Sequence, residues 1–505
     1  MPCVPTARRA SPQYGEFVPT LTKRNNRLIT AHSPVDGLSR RNLSFLPVFA
    51  QAVAAVAPAG AMSVIPALVL GATGPNLVLS FVIAMAVMLL VSFCLRPMTK
   101  RMAAVSGLYS YTARGLGPGT AITAGWSAIF GYGLVAMACL LAVGTYAGQL
   151  AINLGIPVAD PRVLTMVVML VAAVASSLLM VRGIRVAARV TLLVESVSIA
   201  ILTVLMTAYL LLTAPAIDVS HVFLGDGHFD SLSIGIVVAV SAFVGFESPT
   251  TLGGEAYRPF VSVTRAVTWT PVVTGVLYLF AVTAQDIALT EAPSSITSSS
   301  TPLSDLFSHT SPVLAAILDL GIAASFFACT IASVNALART LFCMGREGVA
   351  PRVVGQTHPV FRTPWKAILT VMPIITLVPV AMLTSGVKPE QGLVNLFTLG
   401  AYGYLGSYVL ASASLPFFLR KIGENTKTSW ILGALTALVI GLVLWNAAAV
   451  SVQTGNLQAY IYGGVVLVSI VFTVLLRQFA PRRLAGVGIY DETRESDVFD
   501  GQRAP

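Results

Sequence analysis

Charged residues are scarce in this sequence. Asp, Glu, Lys and Arg make up 10% of the 505 residues, whereas hydrophobic residues make up 55% and the mean hydropathy is +0.81. Average soluble domains carry about 25% charged residues, so the composition excludes an ordinary soluble protein. Runs of about 20 apolar residues recur along the chain, and each could cross a bilayer as a helix. We therefore expect an all-α integral membrane protein.

Cysteine and histidine are also rare, with five of each. The cysteines show no metal-ligand spacing and mostly fall in apolar segments, so neither a disulfide framework nor a zinc site is expected. The histidines all fall in predicted tails and loops, and no nucleophile–base pair accompanies them. We therefore expect neither an enzyme nor a protein that carries a metal or another cofactor.

Twelve spans account for the apolar runs. They are predicted at about 46–70, 75–95, 118–150, 162–182, 188–213, 232–254, 268–288, 312–343, 366–384, 392–417, 429–449 and 457–476. Of the 31 Lys and Arg residues, all but Arg162 and Lys388 fall in segments that share one side of the membrane. Because such segments stay cytoplasmic, we expect a multi-pass protein of the cytoplasmic (plasma) membrane with both termini inside. The net charge of +10 then reflects topology and not a nucleic-acid surface.

The two ends of the chain differ from the middle. Residues 1–43 are polar and basic and lack the apolar core of a signal peptide, so they are interpreted as a disordered cytoplasmic tail. Residues 481–505 are interpreted in the same way, as a cytoplasmic C-terminal tail. The membrane domain is expected to span residues 44–480.

Two of the spans are interrupted by proline and glycine. Span one contains VAAVAPAGAMSVIPALVLGA and span six contains SIGIVVAVSAFVGFESPTTLGGEAYRPF. The predicted break points, Gly60 and Gly245, lie five spans apart, so the two five-span halves would be inverted relative to each other. A single break is often only a kink, but a matching pair in two halves indicates a central binding site. There, helix amino-terminal ends bind a carboxylate and free carbonyls bind an ammonium group.

Three segments resemble signatures of the amino acid–polyamine–organocation (APC) superfamily. They are SAFVGFESPTTLGGEAYRP at span six, ASVNALARTLFCMGREGVAPRVVGQTHPVFRTPW at span eight, and RPMTKRMAAVSGLYSYTARGLGP between spans two and three. The resemblance implies a LeuT-type fold. Its inverted repeats would cover about 46–213 and 232–417, with two extra helices at about 429–476. It also implies secondary active transport of an amino acid or a related amine.

The resemblance places the substrate at the two breaks. Its carboxylate would meet the backbone of Pro58, Ala59, Gly60, Ala61 and Met62, and its amino group the carbonyls of Phe243, Val244 and Gly245, next to Phe246. Tyr132 of span three would face the substrate, with a lipid-facing aromatic as the alternative. The sequence departs from the family twice. Only Gly60 remains of the usual Gly-x-Gly in span one, and Ser241 stands where members that take cationic substrates often have a bulky aromatic residue.

An acidic residue within a membrane span costs free energy, so its presence there indicates function. Glu247, beside the second break, is predicted to relay a proton or polarise the site, with a hydrogen bond that locks span six as the alternative. Related proton-coupled transporters often have a lysine at the position of Ser198, one turn after Glu195 on span five. Three alternatives stay open there. Glu195 takes the proton, Ser198 forms a weak sodium site with Thr330 and Ser333, or Glu195 pairs with an arginine such as Arg189.

Two further acidic residues are assigned to the ends of spans. Glu255 lies close to Arg258 and is interpreted as a gate or structural pair, and Asp319 lies near the outer end of span eight. The sequence as a whole predicts a permease that moves an amino acid, with protons as the coupling ion. A polyamine or amine permease and an amino acid exchanger are the alternatives, and a transceptor or a channel fits less well. Uptake, export and exchange all stay open as directions.

Overall fold

The structure, a computed structural model, describes residues 33–73, 76–213, 229–290 and 301–491, together with Ile296 and Ser299. Regular secondary structure in these residues is helical. The helices are α1 (Phe45–Val56), α2 (Pro58–Thr73), α3 (Leu77–Thr99), α4 (Leu108–Gly115), α5 (Pro118–Asn153), α6 (Pro161–Arg182), α7 (Ile184–Thr213), α8 (Phe229–Val240), α9 (Pro259–Thr290), α10 (Pro302–Ser308), α11 (Pro312–Glu347), α12 (Trp365–Thr384), α13 (Pro389–Lys421), α14 (Lys427–Gln453), α15 (Gln458–Phe479) and α16 (Pro481–Ala485).

Eleven helical segments in the described part are long and apolar enough to cross a membrane. They coincide with eleven of the twelve predicted spans, and α1 and α2 together make the first. The remaining prediction, at 232–254, corresponds to α8, a non-helical stretch and a short 3₁₀ helix at Ser248–Leu252. The seventh span begins nine residues earlier than predicted, at Pro259, because its first turns carry polar residues that hid its start.

Proline marks the start of the long helices. The first residues of α5, α6, α11 and α13 are all proline. Proline suits the first helical position, because an N–H there would have no partner within the helix. At α6 the preceding residue, Asp160, also accepts a hydrogen bond of 2.8 Å from the Arg162 amide. These starts are therefore defined by local sequence.

Three helices form the centre of the bundle. Helix α5 packs most extensively against α11 and α13, and 83% of its most apolar stretch is buried, against 11% for α15. The contact between α5 and α13 depends on glycine, because a Cβ atom on Gly403 would lie 2.6 Å from the backbone nitrogen of Gly131. The most apolar stretches of α14 and α15 are mainly exposed, as expected of helices that face lipid.

The described parts of the two predicted tails pack against the membrane domain. Before α1, the backbone of Leu43 forms a bridge with Ala256. After α16, residues 486–491, here named the C-terminal strap, extend back over α4 and the end of α11. The strap was assigned to a disordered tail, but its apolar and acidic residues find partners on the membrane domain. Residues 1–32 and 492–505 lie outside the described residues.

Candidate functional site

The first span is interrupted at Ala57. Helix α1 ends at Val56, Ala57 adopts a left-handed backbone conformation with φ 47°, and α2 begins at Pro58. The proline explains this position, because it disfavours helical geometry in the residue before it and starts a helix well. The prediction that Gly60 is unwound is wrong, since Gly60 lies in the first turn of α2. The break was predicted from the glycine, but the proline determines where the helix stops.

The sixth span is interrupted after Val240. Gly245 has φ +100°, a conformation that residues with a side chain rarely adopt, so this position is non-helical as predicted. The two breaks touch each other here, because a Cβ atom on Gly245 would lie 2.8 Å from the carbonyl oxygen of Ala55. The end of α1 and the second break therefore approach backbone to backbone.

A small cavity lies between the two breaks. Its wall includes Ala57 and Ala61 from the first span and Ser241 and Val244 from the sixth. The remaining lining comes from Ala55, Val56, Ile65, Val135, Cys139, Phe326, Cys329 and Phe397. The volume open to the centre of a water molecule is about 20 Å³, which is enough for one water molecule and too little for an amino acid. Two larger surface clefts among the described residues, one beside Asn42 and Arg185 and one beside Arg96 and Glu424, adjoin neither break.

The first turn of α2 is engaged by groups of the protein. The Gly60 amide donates to the Ser325 hydroxyl at 3.1 Å, and that hydroxyl donates to the Glu195 carboxylate at 2.9 and 3.1 Å. The Ala59 amide faces the same carboxylate. The alternative in which Glu195 pairs with Arg189 is not found. Glu195 is buried, whereas Arg189 is exposed.

Glu247 is bound by two tyrosines. Tyr132 of α5 donates to one carboxylate oxygen at 2.8 Å, and Tyr408 of α13 donates to the other. The Tyr408 hydroxyl also accepts a hydrogen bond of 3.3 Å from the Gly245 amide. This arrangement matches the alternative in which Glu247 locks span six. It also shows that Tyr132, only 1% exposed, does not face lipid.

The other predicted substrate residues lie in three different environments. Ala61 and Val244 line the cavity. Phe243 packs edge-on against Tyr278, with 4.9 Å between ring centres, and Phe246 packs against Tyr408, so both act here in packing. Met62 accepts a hydrogen bond from Gln285 through its carbonyl.

The three hydroxyls of the predicted sodium site are not brought together. Ser198 lies beside Gly321, with 3.7 Å between its hydroxyl oxygen and the position of a Cβ atom there. Thr330 and Ser333 follow Gly321 on α11 by nine and twelve residues, or about 14 and 18 Å of helix rise. The Thr330 hydroxyl donates to the Phe326 carbonyl of its own helix. The geometry does not support a cation site shared by all three.

Aromatic and thiol residues in the cavity wall were missed by the sequence analysis. Phe326 and Phe397 pack together with ring centres 6.1 Å apart. The Cys329 thiol donates to the carbonyl of Ala55 at 3.2 Å, and Cys139 also lines the cavity. Each is an ordinary apolar position within a long helix, so its sequence neighbourhood gave no signal.

Polar contacts join the helices on the side of the chain ends. Arg339 and Glu255 form a buried ion pair at 2.7 Å, which replaces the expected pairing of Glu255 with Arg258. Asp491 of the C-terminal strap binds Arg40 at 2.8 Å and Arg41 at 2.7 Å. The chain just before α1 is thereby joined to the strap.

A second set of contacts lies on the opposite side. Gln285 of α9 donates to the Met62 carbonyl, and Asn153 donates to Asp319 at 2.7 Å. Asn153 also donates to Ser304 at 3.1 Å. Asp319 is fully buried and accepts from Asn153 at the end of α5, so its carboxylate does not reach solvent.

Comparison with known proteins agrees with this architecture. Residues 48–474 match the family described as amino acid permease. Uncharacterized transporters from Mycobacterium bovis and Mycobacterium tuberculosis are each 24% identical over 377 residues, covering 74% of this chain and 79% of the relative. The APC resemblance seen in the sequence is thus confirmed. With its interrupted spans and buried polar centre, the chain belongs to the amino acid permease family, whose members are transporters.

Proposed function

We propose that this protein is a secondary active transporter that moves a neutral amino acid by alternating access and is driven by protons. The central site would lie where the break at Ala57 meets the break at residues 241–247. The amino acid would take its carboxylate to the amino-terminal end of α2 and its ammonium group to the free carbonyls of the second break. The apolar wall of the cavity suits an uncharged side chain.

One observation carries the proposal: the two breaks meet around a small cavity that is lined mainly by buried residues. Irregular backbone at membrane depth is tolerated where it lines a cavity or is buried in protein. Alternating access needs a closed intermediate, and removable polar contacts such as the Arg339–Glu255 pair and the Asn153–Asp319 hydrogen bond would open one side at a time. A continuous pore would need no such pair of closures.

The topology belongs to the same proposal. We propose twelve crossings, with α8 and the residues after it as the interrupted sixth, arranged as two inverted five-span repeats plus α14 and α15. Both termini would lie in the cytoplasm of the cell whose plasma membrane holds the protein. The positions of the basic residues support this orientation.

Protons are the proposed coupling ion. Glu195 and Glu247 are buried carboxyl groups beside the breaks, and either could carry a proton between the two sides. The sodium alternative is weakened by the distance of Ser198 from Thr330 and Ser333. A coupling ion must bind one conformation better than the other, and a group that bridges several helices meets that condition.

The test is uptake into proteoliposomes that contain the purified full-length protein. We expect saturable, stereospecific accumulation of one or more neutral L-amino acids that rises when the external pH is lowered. A competition panel of amino acids, polyamines and simple amines identifies the substrate. Transport of amines alone would favour the amine permease alternative, and uptake that occurs only with an amino acid inside would favour the exchanger. Sodium-dependent, pH-independent uptake would contradict proton coupling.

A further inference from the structure

Groups of the protein already engage the amino-terminal end of α2. Pro58 has no N–H, the Ala59 amide faces the Glu195 carboxylate, and the Gly60 amide donates to Ser325. The Ala61 amide donates to the Ala57 carbonyl at 2.8 Å. The helix end that would bind a substrate carboxylate is therefore already occupied by groups of the protein.

Glu195 acts here as an acceptor. Its hydrogen-bond partner is the Ser325 hydroxyl, which donates its hydrogen to Glu195 and accepts the hydrogen bond from the Gly60 amide. The carboxylate thus joins α7 to α11 directly and to α2 through Ser325. A negative charge at this place is favoured by the partial positive charge of the α2 end.

The described residues around Glu195 supply no cation. The titratable groups that face it are Cys329 on α11, Cys139 on α5 and Tyr278 on α9. Helices α1 and α2 contain no titratable side chain, α6 has Arg162 and Arg182 only at its two ends, and α7 has Arg185 and Arg189 near its start. Arg185 is held by Asn42. The end of α2 is thus the main positive partner of the Glu195 carboxylate among the described residues.

We infer that Glu195, acting through Ser325, is a built-in carboxylate that occupies the amino-terminal end of α2 until a substrate carboxylate replaces it. The inference rests on the proposed function and adds to it a residue that determines specificity. Two carboxylates at one buried helix end repel each other strongly, so the incoming one binds when Glu195 has accepted a proton. An amine without a carboxylate does not use this helix end, and its binding does not depend on Glu195.

The test compares amino acids with their decarboxylated counterparts. Eight neutral L-amino acids and the eight amines left after loss of their carboxylates are titrated by calorimetry against the purified full-length protein between pH 5.5 and 8. For the wild type, we expect amino acid affinity to fall as the pH rises. In Glu195→Gln, which keeps the shape and removes the charge, amino acids should bind at least tenfold more tightly at pH 8 and without pH dependence. Amine binding should not change.

Ser325→Ala gives an independent second measurement, because it frees the Gly60 amide while leaving Glu195 in place. Amino acid binding should become several-fold tighter at pH 8 and remain pH-dependent. Thr191→Val serves as the matched control, since this buried hydroxyl on α7 donates only to the Ala188 carbonyl of its own helix. It should leave all affinities as in the wild type.

The opposite results are distinct. Unchanged or weaker amino acid binding in both Glu195→Gln and Ser325→Ala, with the wild-type pH profile retained, would overturn the inference while leaving the proposed transporter intact. An equal gain for amino acids and amines would also overturn it, because the effect would not then involve the substrate carboxylate. If neither the wild type nor Glu195→Gln binds any of the eight amino acids, the proposed substrate class itself fails.

Discussion

At the scale of single residues, the two tyrosine hydrogen bonds to the Glu247 carboxylate are the most specific polar feature of the second break. A buried carboxylate that loses a hydrogen-bond donor keeps its desolvation cost without the compensating bond. We expect Tyr132→Phe, which deletes the 2.8 Å hydrogen bond to Glu247, to destabilise the protein by about 1–3 kcal/mol. Thermal unfolding in detergent would show this as a lower midpoint, and transport should slow because the break is held less firmly.

The same helix provides the matched control. Tyr146 is also fully buried on α5, but its hydroxyl has no hydrogen-bond partner among the residues that the structure describes. Tyr146→Phe removes the same atom without breaking a bond, so its unfolding midpoint should stay at or above that of the wild type. Equal losses in the two variants would mean that the hydroxyl of Tyr132 contributes nothing through Glu247.

At the scale of helical elements, we expect exchanges between glycine and alanine to affect stability and transport differently at the two breaks. Gly245 combines φ +100° with a close approach to the Ala55 carbonyl, so Gly245→Ala adds both backbone strain and a clash. We expect a loss of about 1–3 kcal/mol from the strained conformation alone, together with a large loss of transport. Stability is measured by thermal unfolding and transport by uptake into proteoliposomes.

Ala57→Gly is the reciprocal change. Ala57 holds a left-handed conformation that costs a residue with a side chain about 1–2 kcal/mol, and glycine removes this cost while making the unfolded chain more flexible. The two effects oppose each other, so stability should change by less than about 1 kcal/mol and transport should persist. A severe loss in Ala57→Gly would show that the Cβ atom of Ala57 is needed in the cavity wall.

The helices were more predictable than the site they form. Apolar length and proline starts define most spans, because both are local properties of the chain. The sequence analysis placed the first break at Gly60, but the break lies at Ala57. Glycine only permits a break, whereas the rigid ring of Pro58 sets the position at which the helix stops. Glu195 was recognised as unusual, but its partner Ser325 is one of many hydroxyls on α11, and only packing of α7 against α11 selects it. The cavity wall at Phe326 and Cys329 depends on the same packing.

At the scale of the whole molecule, the C-terminal strap connects parts that are distant in sequence. Asp491, whose side chain is fully buried, binds Arg40 and Arg41 ahead of α1, and its amide donates to the Ala103 carbonyl at 3.2 Å. The Gly488 and Ile489 amides donate to Glu347 at the end of α11 at 2.7 and 2.8 Å. In the proposed alternating-access cycle, opening towards this face would move α1 away from α11, and the strap would oppose that movement.

Asp491→Asn tests this coupling. Loss of the charge weakens both arginine contacts, so we expect the closed arrangement to open more often towards the face predicted to be cytoplasmic. The native cavity thiols Cys139 and Cys329 report this opening once Cys3, Cys94 and Cys343 have been replaced by alanine. A membrane-impermeant maleimide applied to that face should label them several-fold faster than in the unmodified background, and labelling from the other face should not increase.

Asp160→Asn is the control for this measurement, because Asp160 caps α6 through the Arg162 amide and does not touch the strap. It should leave both labelling rates unchanged. If Asp491→Asn behaves like Asp160→Asn, the strap is bound to the closed protein without opposing its opening. If labelling instead increases equally from both faces, the substitution loosens the whole bundle. Selective acceleration from one face is therefore the result that assigns the strap to the closure on that side, because a movement of α1 away from α11 exposes the cavity only there.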